Sequence, residues 1–183
     1  SGIIEVTHDR VTVRKCRING PGGTGNFVVV WVKGNDCVIE DCEITNGVGG
    51  GKCIWMEGVT GCTVQRCDLS DAEDGVYMSG SGHTIQDNYI HNLLHNPDEP
   101  IENAHEDGIQ AASTTTDCLV NHNAVRENSN AQLSSSMTHG IGSNMTITNN
   151  LFQGGANVLR VEVPGSSGYI ITGNRLQFGV GTS

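Results

Sequence analysis

The feature that most constrains this chain is a short pattern that recurs seven times along its 183 residues. In each copy two apolar residues alternate with a polar one, a Cys or Asn stands three positions further on, and another apolar residue follows two positions later. The Cys or Asn position falls at Cys16, Cys42, Cys67, Asn88, Asn123, Asn150 and Asn174. Repeats of about 20–50 residues predict a solenoid, in which each repeat forms one coil that stacks on the next.

The composition favours short strands and turns over helices. The chain has 25 glycines, 36% hydrophobic residues and only 4% aromatic residues, which suits many short strands and leaves no thick globular core. The alternating apolar residues would point into the coil, and an inward Asn at a bend can hydrogen-bond the Asn of the next coil. We therefore predict an all-β parallel β-helix of about seven coils, with a Cys and Asn ladder, formed by residues 1–183 as a single domain.

The cysteines are predicted to be buried thiols of this ladder. Their number, seven, is odd, which argues against a complete disulfide framework. A thiol is small and weakly polar, so Cys16, Cys42 and Cys67 can fill the inward position that Asn occupies in later coils. No Cys-x-x-Cys spacing of the kind that holds a metal is present.

The charge of the chain excludes several kinds of partner. The formal net charge is −10, and no cluster of Lys and Arg is present, so we expect no nucleic-acid binding. No apolar run approaches the length of about 20 residues that a membrane helix needs, so we expect no membrane insertion.

A second set of apolar segments lies between the ladder segments and predicts a second parallel sheet. The segments are residues 27–31, 52–56, 74–78, 107–110, 139–142 and 157–162. If they are in register, one outward or bend position holds Lys52, Asp74, Asp107, His139 and Asn157. Side chains at one position of adjacent coils are about 5 Å apart, so Asp74 and Asp107 are predicted to be neighbours.

This column is the predicted centre of chemistry. Two carboxylates this close repel when ionised, which raises the pKa of one and prepares it as an acid. An acid and a second carboxylate are the minimum apparatus for cleaving a glycosidic bond, so Asp74 and Asp107 are predicted to be catalytic, with His139 assisting. Lys52 and Arg160, in flanking coils, would bind substrate. An alternative interpretation is that the Asp-Gly pairs only organise bends.

One coil carries an insertion that ends at the predicted column. The ladder positions Asn88 and Asn123 are 35 residues apart, the longest spacing in the chain, and loops on a rigid scaffold often carry function. Glu106 ends the insertion, and His105 beside it is predicted to bind substrate.

Two metal hypotheses remain open for the insertion. A divalent metal could be held by His91, His95 and His105 with Glu106 or Asp107, and of these His105 and Glu106 are kept as weak candidates. The spacing of the histidines matches no known metal motif. Calcium held by Glu106, Asp107 and Asp74 is a second hypothesis. The main expectation is that no cofactor is needed.

The aromatic residues allow two interpretations. Trp31 and Trp55 lie in adjacent coils of the second sheet, and if they point outward they could stack on sugar rings, with Trp55 binding substrate. We favour an inward position for both, because aromatic residues are scarce in this chain and valuable for burial. His8, His83 and His122 are expected at the surface.

The repeat resembles that of the right-handed parallel β-helix proteins of the pectin-lyase-like superfamily, phage tailspikes among them. Four segments are also similar to the polygalacturonase family of glycoside hydrolases. Residues 74–76 resemble its Asn-Thr-Asp-Gly segment, 106–109 its Asp-Asp-Cys motif, 138–143 its Gly-His-Gly segment and 159–162 its Arg-Ile-Lys motif. The resemblance implies inverting hydrolysis by Asp74, Glu106 and Asp107. Glu162 stands where that family has Lys, which argues against polygalacturonate as the substrate.

The sequence therefore predicts a β-helix that binds and hydrolyses a polysaccharide. Two alternatives stay open. The first is a non-catalytic segment of a phage tail or adhesin protein, excised from a larger chain and trimeric in a tail. The second is a polysaccharide lyase or epimerase, which needs a base and a cation that Lys52, Arg160 and the histidines could supply. An extracellular or virion-associated location is expected.

Overall fold

Three parallel sheets of seven short strands each run along the chain. The computed structural model describes residues 2–22, 27–47, 50–96, 100, 106–112, 115–127, 135–139, 143–161 and 167–178. Every strand pairs in parallel with the strand three places further along the chain, so each set of three consecutive strands forms one coil of a β-helix.

We number the strands β1 to β21 in chain order. Sheet 1 contains β1 (Gly2–Val6), β4 (Val28–Val32), β7 (Lys52–Thr60), β10 (Asp74–Ser81), β13 (Asp107–Ala111), β16 (Ser135–His139) and β19 (Asn157–Val161). Sheet 2 contains β2 (Thr12–Arg14), β5 (Val38–Glu40), β8 (Thr63–Gln65), β11 (Thr84–Gln86), β14 (Leu119–Asn121), β17 (Thr146–Thr148) and β20 (Ile170–Thr172). Sheet 3 contains β3 (Arg17–Asn19), β6 (Glu43–Thr45), β9 (Asp68–Ser70), β12 (Tyr89–His91), β15 (Ala124–Glu127), β18 (Leu151–Gly154) and β21 (Arg175–Gln177).

The core is a narrow apolar column inside the coils. Most three-residue strands of sheets 2 and 3 bury only their central residue, such as Val64 or Leu69, because successive side chains of a strand point to opposite faces. In the outermost strands the central residue is half-buried (β2) or exposed (β20 and β21). Stacking these single residues buries a continuous core without bulky side chains. Phe152 is accordingly the single fully buried aromatic residue in the described part of the chain.

The bend between sheets 2 and 3 explains the sequence pattern that recurs seven times. Each coil turns there in two residues, of which the first has left-handed backbone and the second is the inward Cys or Asn. Left-handed backbone is costly for most residues and easier for Asn, Asp and Gly. The left-handed residues, with φ between 53° and 69°, are Lys15, Asp41, Arg66, Asp87, His122, Asn149 and Gly173.

The Asn half of the ladder is a continuous hydrogen-bonded column. The side-chain oxygen of Asn123 accepts bonds from the backbone N–H and the side-chain amide of Asn88, at 3.0 and 2.9 Å. Asn123 makes the same two bonds to Asn150, at 2.8 and 3.0 Å. In the Cys half, the Cys67 thiol donates to a backbone oxygen of its own turn, that of Gln65, at 3.3 Å. The predicted fold and ladder are confirmed, but the prediction that Cys16 is buried was wrong. Cys16 is exposed, because β2 and β3 are the outermost strands of sheets 2 and 3.

A second buried column lies at the bend between sheets 1 and 2, and it overturns one prediction. His83 is 1% exposed. Its ring Nδ1 accepts the backbone N–H of Cys62 at 3.3 Å, and its backbone N–H donates to the Cys118 sulfur at 3.3 Å. Burial lowers the pKa of His83. The prediction that His83 lies at the surface was wrong, because His83 takes an inward position that Cys fills in neighbouring coils. His8 and His122 are exposed as predicted.

Within the described residues, no helix is both long and apolar enough to cross a membrane.

Candidate functional site

The predicted column exists at the start of sheet 1, with one change of residue. Asp74 pairs in register with Lys52 and with Asp107. Asp107 then pairs with Ser135, not with His139. The placement of His139 in this column was wrong: it lies at the far end of β16, opposite Ala111.

The register of β16 follows from burial. Met137 is fully buried and pairs with Ile109, so it continues the inward column of sheet 1. We predicted that this strand begins at His139, whereas it begins four residues earlier, at Ser135. The prediction was wrong because the Gly-rich segment 139–142 is similar to the Asp-Gly segments with which β10 and β13 begin. Residues 140–142 lie outside the described part of the chain, as does the side chain of His139.

The two aspartates point into the coil. Asp74 is 0% exposed and Asp107 is 2% exposed, because they share the inward face with the buried residues Val76 and Ile109 two positions later. The expectation of an outward column was therefore wrong. The neighbouring glycine is needed for packing, since a Cβ at Gly75 would lie 2.5 Å from the Ile90 Cγ2 atom.

Asp74 is held by a cation and by the backbone. Its Oδ2 lies 2.9 Å from the Lys52 Nζ, and its Oδ1 accepts the backbone N–H of Asp107 at 3.2 Å. Burial favours the neutral amine, but Asp74 and Glu73 outweigh it and raise the pKa of Lys52. Lys52 is therefore a protonated cation at neutral pH, with its side chain 16% exposed.

A second pair of buried carboxylates precedes the aspartates. Glu73 is 4% exposed and Glu106 is 0% exposed. The Oε2 of Glu73 accepts the backbone N–H of Gly51 at 3.3 Å. The Oε1 of Glu106 lies 2.9 Å from the Nδ1 of His95, and the His95 side chain is 28% exposed.

His95 and Glu106 mark where the insertion leaves and rejoins the coil. The backbone N–H of Leu94 donates to Ala72 at 2.9 Å, so the chain still stacks on the previous coil just before His95. The backbone oxygen of Glu106 accepts a bond from the N–H of Ser135, at 3.0 Å, so the chain stacks again on its neighbouring coil at Glu106. Residues 97–99 and 101–105, including His105, lie outside the described residues.

We call this group of side chains the sheet 1 corner. It consists of Lys52, Glu73, Asp74, His95, Glu106, Asp107 and Ser135. Sequence reasoning found Lys52, Asp74, Glu106 and Asp107. It missed Glu73 as a site residue and named His95 only as a candidate metal ligand. The available signal was position: His95 and Glu106 are the two ends of the insertion, so the coil must bring them together.

The outward face of sheet 1 carries an aromatic stack. Trp31 and Trp55 are stacked with ring centroids 5.0 Å apart and 5° between planes, and Tyr77 meets Trp55 edge-on at 5.8 Å. The inward position favoured for the tryptophans was wrong. The other face of Trp31 is covered by the Lys33 Nζ at 3.6 Å, so the stack presents mainly ring edges to a ligand.

Arg160 lies on the same outward column. Register pairs link Trp55 to Tyr77, Gln110, Thr138 and finally Arg160. The predicted substrate-binding residues Trp55 and Arg160 therefore lie on the same outward column of sheet 1, with three register positions between them. A long ligand lying along the coil axis can contact both.

The described residues contain no group of three His, Cys, Asp or Glu side chains arranged to hold a metal. Of the two weak metal candidates, Glu106 is bonded to His95, and His105 is not among the described residues. The calcium hypothesis stays a prediction.

The chain belongs to a known β-helix family. The family model described as a right-handed beta helix region matches residues 1–176. Among curated proteins, none matches this sequence significantly.

Solved structures share the fold. The periplasmic alginate epimerase AlgG aligns with a TM-score of 0.60 and 15% identity, covering 96% of this chain and 46% of the epimerase. A single-substitution mutant of that enzyme gives a TM-score of 0.59 and a double mutant 0.58, both at 15% identity; the alignments cover 96% of this chain and 46% and 47% of the mutant chains. The chain thus spans about half the length of these proteins, and the likeness shows the fold alone.

Proposed function

We propose that this protein modifies a uronate-containing polysaccharide by proton transfer at a sugar carbon, in an epimerase- or lyase-type reaction. The observation that carries the proposal is the His95–Glu106 pair, in which a partly exposed imidazole is bonded at 2.9 Å to a fully buried carboxylate. A buried carboxylate orients a histidine and stabilises its protonated form, which is the arrangement of a general base.

In the proposed reaction His95 removes the proton from C5, the carbon that bears the sugar carboxylate. The proton moves to His95, and the electron pair of the C–H bond is delocalised into the carboxylate as an enolate-like anion. Returning a proton to the opposite face gives the epimer. Expelling the substituent at C4, which leaves with the C–O electron pair and gains a proton, gives the unsaturated product of a lyase.

Lys52 would stabilise the anion. Its raised pKa keeps it charged, and a fixed cation near developing negative charge lowers the barrier most where water is excluded. Arg160 on the outward face of sheet 1 would bind a carboxylate further along the polymer. These cations matter because the chain as a whole carries a net charge of −10.

Hydrolysis by Asp74 and Asp107 has less support. An inverting hydrolase separates its carboxylates by about 6.5–9.5 Å to admit a water molecule, whereas Asp74 and Asp107 occupy paired positions of adjacent strands, which lie about 4.8 Å apart. Both are buried, and Asp74 is bonded to Lys52. The fold shared with an alginate epimerase also favours proton transfer, and a polysaccharide substrate suits a protein outside the cytoplasm.

The test is an assay of three products on alginate, polygalacturonate and a neutral glucan. Epimerisation is read by NMR of the C5 configuration, elimination by the ultraviolet absorbance of the unsaturated uronate, and hydrolysis by new reducing ends. We expect epimerisation or elimination by the wild type and a loss of about 100-fold or more in His95→Gln. His8→Gln, at an exposed histidine outside the corner, is the matched control and retains activity.

Other outcomes separate the alternatives. New reducing ends that vanish in Asp107→Asn would instead support the hydrolase. No product from any polymer, with all variants folded, would favour the non-catalytic tail or adhesin segment.

A further inference from the structure

A groove on another edge of the coil has the features of a second binding site. It lies at the bend between sheets 2 and 3, away from the sheet 1 corner, and has a volume of about 510 Å³. This is within the range of about 300–1,000 Å³ typical of small-ligand pockets. Its base is formed by the ladder residues Asn88 and Asn123 and by the outward residues beside them.

The groove exists because one outward residue of sheet 3 is small. Register pairs place Ala124 between Tyr89 of the previous coil and Leu151 of the next. Tyr89 and Leu151 are therefore two strand spacings apart, about 9.6 Å, with only a methyl group between them. Tyr89 remains 37% exposed. One face of its ring stacks on the His91 ring, with centroids 4.2 Å apart, so only the other face can contact a sugar.

Polar groups line the wall opposite these apolar residues. Asp87, His122 and Asn149 take the left-handed bend position in three successive coils, so their side chains lie along the groove. The Asp87 Oδ1 is 2.6 Å from the His122 Nδ1. Asp87 and Asn149 thus place carboxylate and amide groups about one coil on either side of His122.

Arg126 completes the groove on the other side. Its guanidinium carbon lies 5.8 Å from the centre of the Tyr89 ring. In the described part of the chain it makes no hydrogen bond or ion pair, so its donors are available to a ligand. An exposed aromatic ring, planar polar side chains and an unpaired guanidinium in one groove are the chemistry that recognises a sugar: an apolar ring face and a rim of hydroxyls.

We propose that this groove binds a sugar unit of a glycan, with the sugar ring against Tyr89 and Ala124 and its hydroxyls bonded to Asp87, Asn149 and Arg126. The site is independent of His95 and Glu106, so it would hold a glycan whether or not the sheet 1 corner is catalytic. On the enzyme it would anchor a second stretch of polymer.

The experiment titrates the full chain with three probes: a cello-oligosaccharide, a manno-oligosaccharide and an alginate oligosaccharide. Binding is followed by NMR of the Ala124 and Leu151 methyl groups and by calorimetry. We expect at least one probe to shift both methyl resonances. We expect Tyr89→Ala to weaken binding of that probe by about tenfold.

A variant that fills the groove shows whether a loss of binding has a cause other than misfolding. In Ala124→Tyr the new ring would fill the gap between Tyr89 and Leu151 at an outward position, so the protein should stay folded while binding is lost. Arg17→Ala, at the far end of the same outward column, is the control and binds normally.

His95→Gln should also bind normally at the groove, which separates this proposal from the catalytic one. The proposal is overturned if no probe shifts the two methyl resonances, or if binding survives both Tyr89→Ala and Ala124→Tyr.

Discussion

The Asn ladder and the sheet 1 corner are both columns of polar side chains inside the coil, but they are satisfied in different ways. In the ladder the same residue recurs, and each Asn oxygen accepts two bonds from the coil before it. In the corner the residue changes from Lys52 to Asp74, Asp107 and Ser135. The Ser135 hydroxyl has no hydrogen-bond partner among the described residues.

The difference separates a structural column from a functional one. Identical side chains stacked at the strand spacing satisfy each other, and this stabilises the fold. Burying the four carboxylates of the corner with Lys52 and His95 costs free energy. The like charges repel, and the loss of hydration is only partly offset by the ion pairs. Such a cost is expected where the groups are kept for chemistry.

The largest effect on stability is expected in the ladder. Asn123→Ala removes the acceptor of two bonds from Asn88 and leaves a buried backbone N–H without a partner, so the free energy of unfolding should fall by about 4 kcal/mol. Asn121→Ala, at an outward position of the same coil, should cost about 1 kcal/mol or less. Urea unfolding of both variants measures the difference, and equal losses would mean that the ladder is not a special source of stability.

The next effect is expected at the ion pair of the corner. Lys52→Met leaves the Asp74 carboxylate buried without its cation and should cost about 3 kcal/mol. Adding Asp74→Asn should recover most of that loss, because the uncompensated charge is then gone. A double-mutant cycle measures the coupling; a double variant as unstable as the sum of the singles would show that the pair is not coupled.

The two halves of the ladder should differ in their response to pH. Burial raises the pKa of the ladder residue Cys67 to about 12, whereas an unfolded thiol titrates near 9.0. Above pH 9.0 the unfolded chain therefore loses protons that the folded chain keeps. The stabilising contribution is complete below that pH and is lost as the pH rises through the folded value.

The measurement is the unfolding free energy of wild type and Cys67→Ala at about pH 8 and about pH 10. The wild type should lose more stability between the two values than the variant does. The Asn side chains of the ladder do not titrate, so this dependence on pH belongs to the Cys half. An equal loss of unfolding free energy in wild type and Cys67→Ala would show that burial does not keep the Cys67 thiol protonated.

The smallest effect concerns thiol reactivity. Cys16 is exposed, whereas the six other cysteines are buried, and burial keeps a thiol protonated and inaccessible. A thiol reagent should modify one cysteine of the native protein rapidly, and Cys16→Ser should abolish that fast phase without unfolding the protein. Rapid modification of several cysteines would contradict the stacked arrangement.

The sequence predicted the architecture because the repeat is local. Every copy of the repeat contains the two-residue bend and the single inward residue of each short strand. The ladder from Cys16 to Asn174 could therefore be assigned from the spacing of the repeat. The column from Lys52 to Asp107 could be aligned for the same reason.

The orientation and the partners in the site were harder to predict. Asp74 looked like a bend residue because Asp-Gly is common in turns, whereas Gly75 is required by the close approach of Ile90. The register of β16 depended on which apolar residue, Met137 or Ile141, entered the core. The contact between His95 and Glu106 spans the insertion and has no counterpart in the described residues of other coils, so the repeat held no information about it.

The central claim is that the sheet 1 corner is kept for chemistry. Its most direct test is deuterium incorporation at the sugar C5 in D₂O by Glu106→Gln, compared with the wild type at equal folded concentration. We expect the variant to unfold at the same urea concentration as the wild type, or a higher one, and to exchange the C5 proton about 100-fold more slowly. Exchange at the wild-type rate would contradict it, because the buried carboxylate behind His95 would then have no part in proton transfer.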